Sequence, residues 1–305
     1  MIAAGVVTFQ PDIERLRENL YSIATQVDVV VVFDNGSANV ADVAALIDSI
    51  DNVSLIKSPD NQGIATALNR ISEWAALKGF EWLITLDQDS VAPSGMAKEL
   101  FEVADKHCAA IVTPYIVDRN KLSVEDYMQM PLPRVDEYRQ AARRGAITSG
   151  ALTKLSVLFQ VGGFDERFFI DYVDYDVNQR ILMAGHKILR ANRTYLLHEV
   201  GKAVETWLRV PRKDMTGSWR LETFYAFGHS AQRCYFKARN RVLFTRKYWR
   251  QIGLSHEGVW QLPQQIALTI LFESDRGPKL VGFLRGFRDG LKLRLSETDE
   301  MTDGN

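Results

Sequence analysis

The first 86 residues alternate between short runs of β-branched residues and longer segments with helical periodicity. The strand-like runs are Ile2–Thr8, Val27–Phe33, Val53–Ile56 and Phe80–Leu86, and the helix-like segments are Ile13–Ala24, Val40–Ile50 and Ile64–Leu77. The nearly continuous valines of residues 27–33 indicate a strand that is buried on both faces, as in a parallel sheet. The alternation therefore predicts an α/β fold with a mostly parallel, doubly wound sheet.

The turns that follow these strands contain polar residues and are predicted to meet at one edge of the sheet. They occupy residues 8–12, 34–37, 60–63 and 87–90. Right-handed crossovers bring such turns to the carboxyl edge, where ligands bind in open α/β sheets. The first turn lacks the glycines of a dinucleotide-binding fingerprint, and the sequence has no Gly-x-x-x-x-Gly-Lys-Ser/Thr loop. A nucleotide at this edge would therefore be held by side chains and a metal.

Two aspartates, Asp87 and Asp89, follow the fourth predicted strand directly. Their carboxylates are hard oxygen ligands of the kind that suit Mg²⁺ or Mn²⁺. The alternative is a turn that caps the next helix, because Asp and Ser are common N-cap residues. The metal hypothesis therefore depends on the other polar loops predicted at the same edge.

A second acidic segment places Asp171, Asp174 and Asp176 at the start of a predicted helix that stops near Gly185. The helix dipole alone favours an acid at this position. One aspartate would satisfy the dipole, and three that are flanked by aromatic residues exceed this requirement. Before this segment, strands are predicted near residues 110–114 and 146–152, separated by a polar excursion over 118–145.

Composition excludes several classes of protein. The net charge of −1 gives no global field that would attract nucleic acid. Cys108 and Cys234 form neither a disulfide framework nor a metal cluster, which fits a reducing, cytoplasmic compartment. The N-terminus lacks a signal-peptide pattern, and no apolar run reaches the roughly 18 residues of a transmembrane helix.

Several motifs together resemble those of inverting nucleotide-sugar glycosyltransferases of the GT-A type in family 2. More narrowly, they resemble the bacterial rhamnosyltransferases that use dTDP-L-rhamnose. The resemblance extends over about residues 1–200 and rests on Thr8-Phe9, residues 32–37, 61–65, 86–90, 163–166 and 169–174, and His198. It implies a GT-A fold, a nucleotide-sugar donor and a glycan acceptor.

The resemblance assigns nucleotide contacts to the loops after the first three strands. Thr8 and Asp34 would bind the nucleotide, with Asp34 facing the base, whose ring N–H needs a buried acceptor. The alternative for Asp34 is an Asx turn that starts the loop. Asn61 and Gly63 would let the next loop pass near the diphosphate, although Asn-Gln-Gly is also an ordinary turn.

The resemblance also implies a metal site and a catalytic base. Asp87 would contact the ribose and the metal, Asp89 the metal, and His198 the metal or the diphosphate. A divalent cation would stabilise the diphosphate leaving group, and an acid at a helix start would deprotonate the acceptor hydroxyl. The family pattern places this base at Asp174.

The position before the predicted base departs from the family pattern. The glutamate expected there is Val173 in this sequence. This difference leaves Asp171 and Asp176 as contenders for the catalytic base.

Beyond Trp207 the alternation is lost, and aromatic and basic residues interleave. We predict a catalytic domain over 1–205, a helical region over 206–295 and a disordered tail over 296–305. Two long helices are expected, with a break near Pro263 or Gly277-Pro278.

Residues 229–240 in this region resemble a basic-aromatic motif of the rhamnosyl branch. Arg233, Lys237 and Arg239 are candidate contacts for the diphosphate or the acceptor. The basic faces could instead lie on an anionic membrane, pack against the sheet with solvated charges, or form a dimer interface.

The resemblance implies an enzyme that moves L-rhamnose from dTDP-L-rhamnose to a hydroxyl of an O-antigen, capsule or exopolysaccharide precursor. Mg²⁺ or Mn²⁺ is the expected cofactor, the acceptor is a glycan or a lipid-linked glycan, and nucleic acid is not an expected partner. The expected location is cytoplasmic, with peripheral contact to the inner face of the plasma membrane as a further hypothesis. The alternatives are a UDP-sugar donor (galactofuranose, glucose or N-acetylglucosamine) and a non-catalytic nucleotide- or glycan-binding scaffold.

Overall fold

A computed structural model describes residues 1–119, 122–139, 141, 145–198, 204–213, 219–226, 228–252 and 258–295. The chain divides into two compact units, Met1–Glu199 and Val200–Asn305. The two units are separated by their compactness alone, so the predicted end of the catalytic domain at residue 205 stays a prediction. The tail expected to be disordered, 296–305, lies outside the described residues.

The first unit alternates strands and helices, as predicted. Its elements are β1 (Ile2–Thr8), α1 (Ile13–Ala24), β2 (Val29–Asn35), α2 (Val40–Ile47), β3 (Val53–Ser58), α3 (Ile64–Leu77), β4 (Trp82–Asp87), α4 (Met96–His107), β5 (Ile111–Asp118), α5 (Val124–Met128), β6 (Val135–Glu137), β7 (Ala151–Lys154), α6 (Leu155–Gln160), α7 (Val173–Met183) and β8 (Ile188–His198). A 3₁₀ turn over Glu166–Phe168 precedes α7.

The strands of this unit form one mostly parallel sheet in the order β3-β2-β1-β4-β7-β5-β8-β6. The neighbours β3-β2-β1-β4 pair in parallel, as do β5 and β8. In contrast, β7 pairs antiparallel with both β4 and β5. Because β7 runs the opposite way, the residues that enter it arrive at the edge where β4 ends.

The core of this unit lies between the sheet and the apolar faces of its helices. Helix α1 buries Leu16, Leu20 and Ile23, which follow the predicted helical spacing. Asp12 begins the helix by accepting the backbone N–H groups of Glu14 and Arg15. Each buried Leu or Ile contributes about 1.5–3 kcal/mol relative to an exposed position. This packing gives the loops at the carboxyl edge a rigid support.

The second unit begins with a hairpin that the sequence interpretation missed. Strands β9 (Val204–Lys213) and β10 (Trp219–Ala226) pair antiparallel, with an irregularity between Thr223 and Tyr225. The prediction of helices from residue 206 was therefore wrong for this stretch. Its β-branched and aromatic residues favour strands, and pairing with the second strand is a longer-range effect that periodicity does not reveal.

Among the described residues of the second unit, three α-helices follow the hairpin: α8 (Ala231–Ile252), α9 (Leu262–Phe272) and α10 (Arg276–Lys292). Pro263 and Pro278 both lie in the first turn of a helix. Proline is tolerated there because the first N–H groups of a helix have no partner within the helix. The two predicted break points therefore mark helix starts.

Helix α10 packs closely on α8 through a glycine stripe formed by Gly282, Gly286 and Gly290. A Cβ atom on Gly290 would lie 2.7 Å from the carbonyl oxygen of Arg239. A Cβ atom on Gly282 or Gly286 would overlap an α8 carbonyl oxygen even more closely. Only glycine at these positions lets the two helix backbones approach to this distance.

Candidate active site

The loops after β1 and β2 are joined by Asp34, which is fully buried. Its Oδ2 accepts a hydrogen bond from Thr8 Oγ1 at 3.0 Å, and its Oδ1 accepts one from the Ser37 backbone N–H at 2.9 Å. The second hydrogen bond holds the turn that starts the loop, which is the alternative role that the sequence analysis gave for Asp34. An ionised carboxylate can accept about four hydrogen bonds, so these two do not exhaust the capacity of Asp34. Contact with a nucleobase stays a prediction.

The loop after β3 is held by an asparagine that sequence reasoning did not select. Asn35 donates to Asn61 Oδ1 at 3.1 Å and accepts the backbone N–H of Gln62 at 2.8 Å. Asn61 Oδ1 also accepts the N–H of Gly63 at 3.0 Å. The Asn-Gln-Gly turn is therefore clamped from the end of the neighbouring strand.

Gly63 lies where the chain approaches the segment before α7. Its φ is +87°, and a Cβ atom there would lie 2.6 Å from the Phe169 ring. The next residue, Ile64, donates its N–H to the Phe169 carbonyl oxygen at 2.6 Å. The start of α3 is thus connected directly to the acidic segment that carries Asp171 and Asp174.

Ser149 enters the site because β7 runs antiparallel to its neighbours. Its Oγ accepts the backbone N–H of Asp87 at 3.0 Å and lies 2.9 Å from Ser90 Oγ. Ser90 Oγ in turn lies 3.0 Å from Nδ1 of His198, the last residue of β8. These hydrogen bonds position Asp87 and orient the imidazole ring of His198.

Asp87, Asp89 and His198 come together in the arrangement that the resemblance implied. Each offers one ligand atom, and these atoms all lie within 4.8 Å of one another. Oδ1 of Asp89 is buried and accepts no hydrogen bond from the residues that the structure describes. Burial raises the pKa of Asp87, His198 lowers it, and the charge of Asp89 raises it. Two crowded carboxylates beside an imidazole, one with a buried oxygen that lacks a donor, fit a divalent cation such as Mg²⁺ or Mn²⁺.

The segment that precedes α7 has an unusual backbone. Phe169, Asp171 and Tyr172 have φ values of 59°, 60° and 66°, which non-glycine residues rarely adopt. Asn69 of α3 clamps the start of this segment, since its side chain accepts the Phe164 N–H at 2.8 Å and donates to the Phe164 carbonyl at 2.9 Å. Such strain persists only where surrounding contacts enforce it, and it is concentrated at functional sites.

Asp174 lies in the first turn of α7 and lines a small cavity with Thr148, Phe164 and Asn178. Its Oδ1 accepts the backbone N–H of Tyr175 at 2.9 Å. Burial raises the pKa of Asp174 to about 7, with the nearby charge of Asp171 adding to the rise and the Tyr175 N–H opposing it. A carboxyl group with a pKa near neutrality is suited to accept a proton at physiological pH.

Asp176, two residues after Asp174, is engaged elsewhere. It is fully buried and forms an ion pair with Arg180, with 2.5 Å between Oδ2 and Nη2. Arg180 also donates to the carbonyl oxygens of Val161 and Gly163. Breaking a buried ion pair costs about 3–5 kcal/mol, so Asp176 is held in a structural role.

The basic candidates of the second unit all lie on α8. Arg233 is exposed, and the Lys237 ammonium is hydrogen-bonded to His229 Nε2. The Arg239 guanidinium lies 4.8 Å from the centre of the Phe236 ring, a cation–π geometry. A role for these side chains in binding the diphosphate or the acceptor stays a prediction.

Asn19 is another residue that sequence reasoning missed. It is fully buried on α1, and its Nδ2 donates to the carbonyl oxygens of Asp87 and Ser90 at 2.9 and 2.6 Å. The signal was present in the sequence, because a polar residue stands on the same helical face as Leu16 and Leu20. A buried amide on an apolar face needs partners, and here they are the backbone of the predicted metal loop.

Comparison with known proteins agrees with this geometry. The family model described as glycosyl transferase family 2 matches residues 5–161. The dTDP-rhamnosyl transferase RfbF of Shigella flexneri is 29% identical over 255 residues, which cover 81% of this chain and 80% of that protein. An N-acetylglucosaminyl-diphospho-decaprenol L-rhamnosyltransferase of Mycobacterium tuberculosis is 29% identical over 222 residues, covering 62% of this chain and 72% of that protein.

A solved structure supports the fold independently of sequence identity. S. aureus TarS 1–349 in complex with UDP superposes with a TM-score of 0.51 at 16% identity, covering 66% of this chain. The match spans 60% of that TarS chain. The mostly parallel sheet, the polar loops at its carboxyl edge and the match over half of the chain lead to one assignment. The chain belongs to glycosyl transferase family 2 and is a glycosyltransferase with a GT-A-like fold.

Proposed function

We propose that this glycosyltransferase transfers L-rhamnose from dTDP-L-rhamnose to a hydroxyl group of a cell-surface polysaccharide precursor, with inversion at the transferred carbon. The similarity to RfbF, which extends over 81% of the chain, supports rhamnose as the sugar. The occurrence of Asp174, with its raised pKa, in the same unit as the Asp87-Asp89-His198 cluster is the observation that supports catalysis.

The donor nucleotide would occupy the carboxyl edge of the sheet. Thr8 and Asp34 would bind the nucleoside, and Asn61 and Gly63, in the loop at the start of α3, would lie near the diphosphate. Gly63 lets this loop pass Phe169 closely with a φ of +87°, a conformation and an approach that a residue with a Cβ atom would not allow. The N-terminus of α3, a helix of 14 residues, adds a favourable field for an anion.

Asp87, Asp89 and His198 would hold the Mg²⁺ or Mn²⁺ ion that supports the departure of the diphosphate. When bound, such an ion supplies Lewis-acid stabilisation of the negative charge that develops on the leaving group. The protein maintains the ligand geometry through Ser90 and Ser149, which orient His198 and the Asp87 backbone.

Asp174 would act as the general base. The acceptor hydroxyl oxygen forms a bond to the anomeric carbon from the face opposite the diphosphate, and the bond from that carbon to the diphosphate oxygen breaks. The hydroxyl proton passes to the Asp174 carboxylate. Asp176 is committed to Arg180, and Asp171 contributes through its charge on Asp174, so both fit the role of base less well.

The acceptor is proposed to be a glycan carried on a lipid. The M. tuberculosis relative is named for a diphospho-decaprenol substrate, and a lipid diphosphate would suit basic residues such as Arg233, Lys237 and Arg239. A homodimer is compatible with these features and is tested by sedimentation of the purified protein.

The decisive experiment compares donors. Purified protein with Mg²⁺ is mixed with dTDP, dTDP-rhamnose, UDP and UDP-sugars, and both the melting temperature and the release of nucleoside diphosphate are recorded. Bound ligand stabilises the folded state by mass action, so we expect shifts selective for the dTDP species. Melting-temperature shifts selective for UDP species would indicate a UDP-sugar donor and would contradict the assignment of rhamnose. Binding of nucleotide without turnover of any donor in the presence of lipid-linked glycan acceptors would favour the non-catalytic scaffold.

A further inference from the structure

The outer face of α10, opposite the glycine stripe, exposes large apolar side chains. Leu284 is 68% exposed, and Val281 and Leu291 are each 53% exposed. Their spacing of three and seven residues places them on one side of the helix. Because Gly282, Gly286 and Gly290 already mediate the packing on α8, these side chains have no part in that packing.

Cationic side chains are interleaved with these apolar side chains. Arg285, Arg288 and Lys292 are exposed and lie on the same side of the helix by periodicity. The sequence of α10 contains one acidic residue, Asp289, which is hydrogen-bonded to Arg288 and to the hydroxyl group of Tyr235 on α8. The outer face therefore combines apolar side chains with a net positive charge.

We propose that the outer face of α10, defined by Val281, Leu284, Arg285, Leu291 and Lys292, binds the surface of an anionic lipid bilayer. Apolar side chains of such a helix insert at the boundary between head groups and acyl chains, while Arg and Lys extend to the lipid phosphates. The charge pattern disfavours a second copy as the occupant, since a two-fold contact would oppose the same cations across the interface.

Exposed tryptophans are a further feature of the second unit. Trp207, Trp219, Trp249 and Trp260 are all exposed, with Trp207 at 77%. Indole rings favour the membrane–water interface because one end is apolar and the other carries a hydrogen-bond donor. None of the described helices combines the length and the apolar character needed to cross a bilayer, so the proposal concerns contact with the bilayer surface.

Cosedimentation of the full chain with large unilamellar vesicles tests the proposal. One set of vesicles contains phosphatidylcholine alone, and the other contains phosphatidylcholine mixed with phosphatidylglycerol. The variants are Leu284→Ser and the double change Arg285→Glu with Lys292→Glu. The matched controls in the first unit are Leu77→Ser, at a position 87% exposed, and Lys57→Glu with Lys106→Glu.

We expect the wild-type protein to bind the vesicles that contain phosphatidylglycerol and not those of phosphatidylcholine alone. Leu284→Ser should reduce the partition coefficient about tenfold, as expected from the loss of one buried leucine. The double charge reversal should reduce it at least about 30-fold, since each basic residue near an anionic surface adds about 1 kcal/mol. The two control proteins should bind as the wild type does.

Three results would overturn the proposal. The first is equal binding of the wild-type protein to both kinds of vesicle, and the second is binding by the α10 variants that equals that of the wild type. The third is a wild-type protein that does not bind vesicles and forms a dimer that Leu284→Ser dissociates. Vesicle binding needs neither donor nor acceptor, so its failure leaves the proposed rhamnosyl transfer untouched. Circular dichroism melts of each variant show whether it is folded.

Discussion

Replacing Asp174 with asparagine separates the proposed catalytic role of this residue from its effect on stability. Asparagine has nearly the same shape, and its side-chain oxygen can still accept the Tyr175 N–H. It cannot accept a proton from the acceptor hydroxyl. General base catalysis contributes about 10²–10⁴-fold to rate, so we expect Asp174→Asn to lower kcat by this factor.

The same change should stabilise the protein above about pH 4, with the largest effect at neutral and higher pH. In the unfolded chain the Asp174 carboxyl releases its proton near pH 3.8, whereas burial in the folded state holds the pKa at about 7. Between these values the folded state binds the extra proton, so the free energy of unfolding falls as pH rises, by about 1.4 kcal/mol per pH unit. Over the whole interval the loss reaches about 4 kcal/mol, and Asp174→Asn removes it.

The assay is urea unfolding without divalent cations at pH 5 and pH 8, combined with donor turnover. Asp174→Asn should be more stable than the wild type at both values, with a larger difference at pH 8. Asp42→Asn, which changes an exposed acid in the first turn of α2, is the matched control; it should cost less than about 1 kcal/mol through the helix dipole and leave turnover unchanged. A wild-type rate for Asp174→Asn, or a stability difference that does not grow with pH, would refute the reasoning.

Further changes test the metal site and the contacts of α3. Asp89→Ala should abolish the Mn²⁺-induced increase in melting temperature together with turnover, and full wild-type activity in excess chelator would contradict the metal hypothesis. Gly63→Ala should lower the melting temperature more than Gly79→Ala does. Both glycines have positive φ, but a Cβ atom would meet another residue within 4 Å only at Gly63 of the two. Equal decreases in melting temperature would exclude the contact with Phe169 as the cause. Asn69→Ala should cost about 1–3 kcal/mol in urea unfolding by leaving the Phe164 backbone unpaired and should lower kcat more than it changes the donor KM, whereas Arg70→Ala should do neither.

The first four strands and the loops that follow them could be predicted because their signals are local. A run of valines, helical spacing and turn residues each depend on neighbouring positions, and the rule for parallel crossovers then brings the loops together. The approach of Asp34 to Thr8 agrees with that reasoning. The approach of Asp87 and Asp89 to His198 was expected only from the family resemblance.

The parts that escaped prediction depend on pairings between distant residues. Ser149 reaches Asp87 only because β7 is inserted antiparallel between β4 and β5, and the sequence near Ser149 carries no mark of that direction. The sequence also could not distinguish Asp174 from Asp176. The difference lies in Arg180, which forms an ion pair with Asp176 and also donates to the Gly163 carbonyl oxygen. These contacts hold Asp176 in a structural role.

The glycine stripe of α10 has a consequence for how this part of the chain can vary. At Gly282, Gly286 and Gly290 any larger residue would collide with the α8 backbone. Selection should therefore remove substitutions at these positions for structural reasons alone. The opposite face of the same helix is under no such restraint, and residues there can be exchanged without disturbing the packing. Selection can therefore retune what this helix contacts, one side chain at a time, while the fold beneath it stays unchanged.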